Sequence, residues 1–515
     1  MDKNIIKTVY RLNRIVQEYS SQYFHSKILA SSSTKIIFNS EIHSFDIHYS
    51  LKDLLLIGAI TESPILLTGG TDLGKTTFAK MVMNALFGEE EKGWHKLDFD
   101  LDFGKDSYTN VNSDFFHESG KDLSDLYSIH KWMQFPGFIA DELNGVHPKI
   151  ARKALHIIKE KDITLPDGRR VRIGYPLENN ETYQFQIATI NEGSEYTGIF
   201  DMDKALRRRT TIEIPMDVFR PTPFDRLSLQ KSKKEQILNT QNHLQEILEI
   251  KKVIDTIKLH PIAEMFISYL EAFDFCKNSL TGEKGSIISR NGSIEHVCTA
   301  AIRVGNTSLD SGIACEFLRT FEYNLCPNVC GITPGISENL ILVSKGFALL
   351  RAMKFVEMIA VFFNNEFASY SFSLPNPERF VSSLQKYVKK ELTGRELGTI
   401  AALKYINELE VEQSDIQSAI GFVGYSKIGM NQMWVNKHFQ GNKFEAVKFF
   451  IDQASLKFKE GVGRAEFDEI INKTSNEQSI KQYCFSSNPW LWRVVVPYFK
   501  EQNLESCPDS FDLYV

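Results

Sequence analysis

The sequence has no uninterrupted apolar run long enough to cross a bilayer. Its most apolar stretch, Gly346 to Phe363, is broken by Arg351, Lys354 and Glu357 and reads as a buried helix. The opening residues, Met1-Asp-Lys-Asn-Ile-Ile-Lys, lack the apolar core of a secretory signal. Cysteine is scarce: seven residues, an odd number spread over 515 positions, which argues against a disulfide framework and for reduced thiols in a cytoplasmic compartment. Cys326 and Cys330 are not at a usual zinc spacing and read as ordinary core thiols. No strong charge of either sign is present. A formal charge of −6 and a pI near 6.1 give no electrostatic indication of nucleic acid as a partner, although a local basic pore stays open. Internal repeats and low-complexity tracts are also missing.

What remains is a chain with 43% hydrophobic and 24% charged residues, able to bury a normal core and long enough for two to four domains. A helix-like stretch, Ile5 to Tyr23, leads into a Ser-rich connection at Ala30 to Thr34. The pattern then changes. Short buried strands are expected at Ile65 to Leu67, Gly137 to Ala140, Tyr183 to Thr189 and Thr210 to Ile214, with helices at Thr77 to Leu86 and Ile150 to Lys161. A hairpin is expected over Ile163 to Ile173, turning at Pro166-Asp167-Gly168. Strands alternating with helices predict an α/β sandwich with a parallel sheet covered on both faces. After about residue 225 the pattern is helical: Lys231 to Leu259, Ile262 to Cys276 and Ile288 to Ile302, then more helices beyond 330, with loops at Pro375 to Pro377 and Gly421 to Gly429.

Four motifs carry chemistry. The first is Gly69-Gly70-Thr71-Asp72-Leu73-Gly74-Lys75-Thr76, a GxxxxGK[ST] loop between a strand and a helix that begins near Thr77. Backbone N–H groups of such a loop cradle phosphate oxygens at the helix N-terminus. Lys75 would reach the β- and γ-phosphates and the Thr76 hydroxyl would bind Mg²⁺. The second is Phe138-Ile-Ala-Asp141-Glu142, where an apolar strand ends in two carboxylates about 65 residues downstream. Asp141 would hold Mg²⁺ and Glu142 would polarise the attacking water. The third is Ala188-Thr-Ile-Asn191, whose amide could orient that water; an Asn capping a loop is the plainer alternative. The fourth is Arg207-Arg208-Arg209, which reads either as solvated surface or as an arginine finger reaching a neighbouring subunit's site.

On these residues the chain resembles AAA+ ATPases of the MoxR-like, dynein-related clade. Phe138 to Lys149 looks like their Walker B segment, Ala188 to Asn191 like sensor 1, and Asp203 to Arg209 like their arginine-finger segment, which is also similar to that of the McrB restriction GTPases. Gly193 to Gly198 fits the connecting loop of the broader group, and the match covers roughly residues 46 to 320. The resemblance implies a P-loop NTPase αβα sandwich followed by a helical AAA+ lid and a mostly helical C-terminal domain. The implied boundaries are 1–45 for an N-terminal helical segment, 46–225 for the nucleotide-binding domain, 226–325 for the lid and 326–515 for the rest. It implies Asn191 as sensor 1, Arg209 as the finger with Arg207 second, and Arg290, from Ile288-Ser-Arg290-Asn, as a lid residue contacting the γ-phosphate. Thr77, next to the loop, joins the expected nucleotide contacts.

The implied cofactors are ATP and Mg²⁺. The implied state is a homo-oligomeric ring, commonly a hexamer, with no membrane association, remodelling a protein or complex, with a von Willebrand factor A domain protein as a frequent partner in the family. Two other readings stay open. Arg169, Arg170 and Arg172 of the hairpin could serve a nucleic-acid motor. A scaffold that hydrolyses little is motivated by the loop itself, because Thr71 and Asp72 stand where the family has Pro and Gly, and an inward Asp72 would repel a triphosphate. Asn144-Gly145 also replaces the family's Asn-Arg. GTP in place of ATP is not distinguished by these motifs.

Overall fold

The computed structural model describes residues 3–19, 27–99, 109–112, 126–145, 156–192, 207, 209–231, 241–275, 329, 332–364 and 376–461. The chain divides into two compact units. One comprises Met1–Ser31 and His48–Thr256, the other Ser32–Ile47 and Ile257–Val515.

From the N-terminus come helix α1 (Lys3–Tyr19), strands β1 (Ala30–Phe38) and β2 (Glu41–Tyr49), and helix α2 (Leu51–Ile60). Helix α1 buries Ile6, Val9, Leu12 and Val16, an i, i+3, i+6, i+10 stripe that packs on α2. Helix α2 starts in a capping box, with Ser50 accepting from the Asp53 N–H and Asp53 accepting from the Ser50 N–H. Asp53 is fully buried and takes a 2.8 Å hydrogen bond from Asn13 of α1.

The sheet of the first unit follows. Strand β3 (Ile65–Thr68) leads to α3 (Lys75–Phe87) and β4 (Trp94–Asp98). The short pair β5 (Thr109–Val111) and β6 (Tyr127–Ile129) precedes β7 (Gly137–Asp141). The hairpin β8 (Asp162–Thr164) and β9 (Arg170–Arg172) comes next, then a second small pair, β10 (Tyr175–Pro176) with β11 (Thr182–Tyr183). Strands β12 (Phe185–Thr189) and β13 (Ile212–Pro215) complete the sheet, in the order β13-β3-β12-β7-β4 with every pairing parallel. Strands β3, β7, β12 and β13 are buried at every position, and most of their residues are apolar, with Gln186 and Glu213 among the buried polar exceptions. Alternate residues serve opposite faces. Leu66, Phe138, Ala140 and Ala188 pack with Ile157, Ile163 and Ile173, whereas Ile65 meets Gly58 of α2 on the other side. Helices α4 (Pro223–Lys231) and α5 (Leu244–Ile254) end the unit's described part.

The expected sequence pattern differs from the structure at several points. Ala30 to Thr34 is not a connection and the stretch to residue 45 is not helical: both lie in the β1–β2 pair. Asn39 and Ser40 join the strands, both at positive φ, the conformation a two-residue hairpin turn demands. The strand pattern was hidden because β1 turns Ser32 and Thr34 inward. Strand β4 was also missed, since Trp-His-Lys-Leu-Asp mixes polar residues into a sheet edge. The helix expected from Lys231 to Leu259 is regular only over α5 within its described portion beyond residue 240. Residues 150–155, Ile288 to Ile302 and all seven cysteines lie outside the described residues.

Among the described residues, the second unit is helical apart from the β1–β2 pair. It contains α6 (Pro261–Phe275), α7 (Pro334–Asn364), α8 (Pro377–Val388), α9 (Gly394–Asn407), α10 (Gln413–Gly424), α11 (Gln432–Phe439) and α12 (Lys443–Gly461). The loop expected from Gly421 is helix as far as Gly424, and a Cβ at Gly421 would sit 3.5 Å from the Phe444 ring. Helix α7 contains the apolar stretch Gly346 to Phe363. Among the described residues no helix is long and apolar enough to cross a membrane.

The charge that interrupts α7 explains its burial. Arg351 is only 1% exposed, donates to both oxygens of Asp415 and to Glu412 Oε1 at 2.6 Å, and also bonds Tyr405, Thr34 Oγ1 at 2.8 Å and the Glu410 carbonyl at 2.7 Å. Ser32 and Thr34 of β1 join the same network through Asp415 and Glu412. The inward-facing polar residues of β1 thus satisfy a buried ionic cluster.

Candidate active site

The site is assembled at the carboxyl ends of β3, β7 and β12, where parallel α/β sheets place ligands. Strand β3 runs out at Thr68, and the loop Gly69–Gly74 turns the chain into α3. Two glycines meet a backbone requirement there. Gly69 has φ 135° with the Asp217 carboxylate 2.7 Å from where a Cβ would sit, and Gly74 takes φ 74° as the residue before α3. Asp72 adopts φ 61°, the left-handed conformation that a glycine would take without penalty, and its side chain is exposed.

Lys75 is buried, 6% exposed, and its ammonium donates to the Gly69 carbonyl at 2.9 Å and the Gly70 carbonyl at 2.5 Å. The Gly70 N–H is held by Asp217 at 3.0 Å, and Asp217 in turn accepts from Arg220 at 2.7 Å. Thr71 and Thr77 are exposed, and Leu73 is half-buried.

Thr76 Oγ1 donates to Asp141 Oδ1 at 2.7 Å. The same oxygen accepts from Thr189 Oγ1 at 2.6 Å, and Thr189 Oγ1 itself accepts from the Glu142 N–H at 3.0 Å. One hydroxyl at the end of β12 thereby fixes both acidic residues at the end of β7. Glu142 is exposed and sits at φ 52°, a conformation costing a residue with a Cβ on the order of 1–2 kcal/mol. It is held there by the turn, in which the Gly145 N–H bonds the Glu142 carbonyl at 2.7 Å. Asn191 Nδ2 donates to Glu142 Oε1 at 3.3 Å. The Asn191 backbone is clamped on both sides by the Asn144 amide, at 2.7 and 3.2 Å.

Thr76, Asp141, Glu142 and Asn191 are therefore joined as a group through Thr189, while the Lys75 ammonium is held by the loop carbonyls. Sequence reasoning missed Thr189 and Asn144. Thr189 lay inside a quoted motif, and its position one residue after the last apolar strand residue was the signal. The Thr76 hydroxyl and the Asp141 carboxylate form an oxygen-only donor pair of the kind a hard cation takes. On the far side of Asp141, Lys96 of β4 bonds Asp98 and lies 3.5 Å from Asp141 Oδ2. Burial pulls the Lys96 pKa down, but the bond to Asp98 and the charge of Asp141 outweigh it, leaving the ammonium above the usual lysine value.

Arg207 and Arg209 pair with carboxylates outside this group. Arg207 pairs with Glu192 and donates at 3.1 Å to Glu213, a fully buried carboxylate in β13, so it is engaged within its own chain. Arg209 lies 3.7 Å from Glu160, and its buried Nη1 has no hydrogen-bond partner. Arg208 and Arg290 lie outside the described residues. In the β8–β9 hairpin Arg169 bonds Asp167 and the Tyr127 carbonyl, Arg170 pairs with Asp162 at 3.1 Å, and Arg172 donates to the Asn180 carbonyl at 2.7 Å.

Asp72 gives a direct test of the loop. Asp72→Asn removes its charge, and Asp72→Gly removes charge and backbone strain together. Both variants are expected to bind ATP about threefold more tightly at low ionic strength, with the gap closing in high salt as the interaction is screened. Equal affinities at low salt, measured by titration of a fluorescent ATP analogue, would mean that Asp72 does not act on the nucleotide.

By sequence, the chain matches no protein-family model and no curated protein. Among solved structures it is similar to a crystal structure described as "a putative ATPase" from Cytophaga hutchinsonii. The TM-score is 0.40 and the identity 15%, over 77% of this chain and 96% of that one.

Proposed function

We propose that this chain binds ATP with Mg²⁺ at the Gly69–Thr76 loop, hydrolyses it, and works as a ring-forming AAA+ protein that remodels a protein or complex. The observation that carries the hydrolytic reading is the convergence on one point of Thr76, Asp141, Glu142 and Asn191, joined through Thr189.

The residues divide the work. Loop N–H groups and the N-terminus of α3 receive the phosphates, and Lys75 adds a positive charge to them. Thr76 and Asp141 would hold Mg²⁺, which would supply charge neutralisation to the bound phosphates. Glu142, with its carboxylate exposed toward solvent, orients a water and takes its proton; Asn191 holds Glu142 Oε1 in place. The exposed, left-handed Asp72 leaves the loop interior clear, which supports a hydrolysing enzyme over an inert scaffold. The engagement of all three hairpin arginines within the chain gives no support to the nucleic-acid reading.

Of the two described candidate fingers, Arg209 fits a role in a neighbouring subunit's site. Arg207 is bound to a buried carboxylate at home, whereas Arg209 makes a longer ion pair, 3.7 Å, with the exposed Glu160, a contact that is more readily exchanged. Arg209→Ala is expected to lower turnover by about 10³-fold while ATP still binds. Mixing it with a Glu142→Gln chain should restore part of the activity, because a mixed ring contains sites with Glu142 on one side and Arg209 on the other. Phosphate release with light scattering measures both. A chain that stays monomeric at every nucleotide concentration, or an Arg209→Ala variant with unchanged turnover, contradicts the ring.

A further inference from the structure

Asp141 presents two oxygens that are used very differently. Oδ1 is taken by two hydroxyls, those of Thr76 and Thr189. Oδ2 faces the ammonium of Lys96 at 3.5 Å. The sheet register creates this arrangement. Strand β4 pairs with β7 so that Asp98 stands opposite Asp141 and Lys96 opposite Ile139. Lys96 and Asp98, two apart, share a face, and Lys96 reaches between the two carboxylates with its side chain only 18% exposed. A divalent cation and a lysine ammonium seek the same anionic oxygen, and each repels the other.

We infer that Lys96 is a built-in countercation of Asp141: it holds the carboxylate in place before the metal arrives and competes with Mg²⁺ for it afterwards, so that it sets how tightly the metal is bound. The inference rests on the nucleotide reading above and deepens it. Lys96 acts here as a positioning residue through Asp141, and Asp98 keeps it from leaving for solvent.

The test is the affinity of the full chain for Mn²⁺, read by electron paramagnetic resonance in the presence of a non-hydrolysable ATP analogue. Binding of the analogue itself is measured separately in EDTA. Lys96→Met removes the charge and is expected to tighten Mn²⁺ about fivefold to tenfold. Lys96→Arg keeps the charge and should stay within about twofold of the wild type, a distinction that a purely structural role for the side chain would not produce. Lys96→Gln carries the same expectation as Lys96→Met and serves if the methionine variant does not fold. Mn²⁺ affinity that is unchanged or weaker in the neutral variants, with the analogue bound normally, overturns the inference and leaves the nucleotide site standing. A wild-type chain that binds no analogue overturns the nucleotide site and this inference with it.

Discussion

On the proposed mechanism, Glu142→Gln is expected to lower ATP turnover by about 10²- to 10⁴-fold, the range a positioned general base contributes, and to leave ATP binding intact. The amide keeps the shape of the side chain and can still accept from Asn191 Nδ2 through its oxygen, but it cannot take a proton from water. Thr189 bonds the Glu142 backbone, so the turn at the end of β7 and the contact between Thr76 and Asp141 persist in the variant. Single-turnover phosphate release and nucleotide titration separate the two effects. Loss of binding together with turnover would show that Glu142 holds the fold of the site and not its chemistry. Turnover at the wild-type rate would remove it from the mechanism.

Arg351→Met destabilises the second unit by about 3–5 kcal/mol, because it leaves Asp415 and Glu412 buried without their cation. Amide protection in α7, α9 and α10 should fall by about 10²- to 10⁴-fold. Protection within tenfold of the wild type would mean the cluster is replaceable by apolar packing. The same cluster predicts a pH dependence. Two carboxylates share one guanidinium, and burial, partly offset by Arg351 and reinforced by Asp415, pushes the Glu412 carboxyl up to about 7. A carboxyl raised in the folded state stabilises fully below its unfolded value of 4.5, and that contribution is lost as pH rises through about 7. Relative to the wild type, Glu412→Gln should therefore gain protection as pH rises from 4.5 to 7. A difference that stays constant over that window would show that Glu412 keeps its ordinary ionisation.

The parts of the fold legible in the sequence are those where one physical signal dominates. Strands β3, β7, β12 and β13 are buried on both faces, so each is mostly apolar, and Gly69–Thr76 stands out as a GxxxxGK[ST] pattern set between a strand and a helix. Where polarity and burial coincide, the signal inverts. Ser32, Thr34 and Arg351 are polar residues turned inward toward one another from positions more than 300 residues apart, and local periodicity carries no trace of that pairing. Lys96 was invisible for a related reason: its role arises from the register of β4 against β7, and β4 itself was hidden by its mixed composition. The arginine triplet shows the limit of a motif. Its residues are similar in sequence, yet Arg207 is bound to Glu213 in its own sheet and Arg209 is not.

The proposed function requires that the Gly69–Thr76 loop hold ATP through Lys75. Calorimetric titration of ATP and Mg²⁺ into the wild-type chain and into Lys75→Ala tests it most directly. Lys75 is buried between the loop carbonyls and in the proposed site would add its charge to the phosphates, so the wild type should bind with about one nucleotide per chain. Its loss should weaken binding by about 10²-fold or more. A wild-type chain that shows no binding, or a Lys75→Ala variant that binds as tightly as the wild type, would contradict the account.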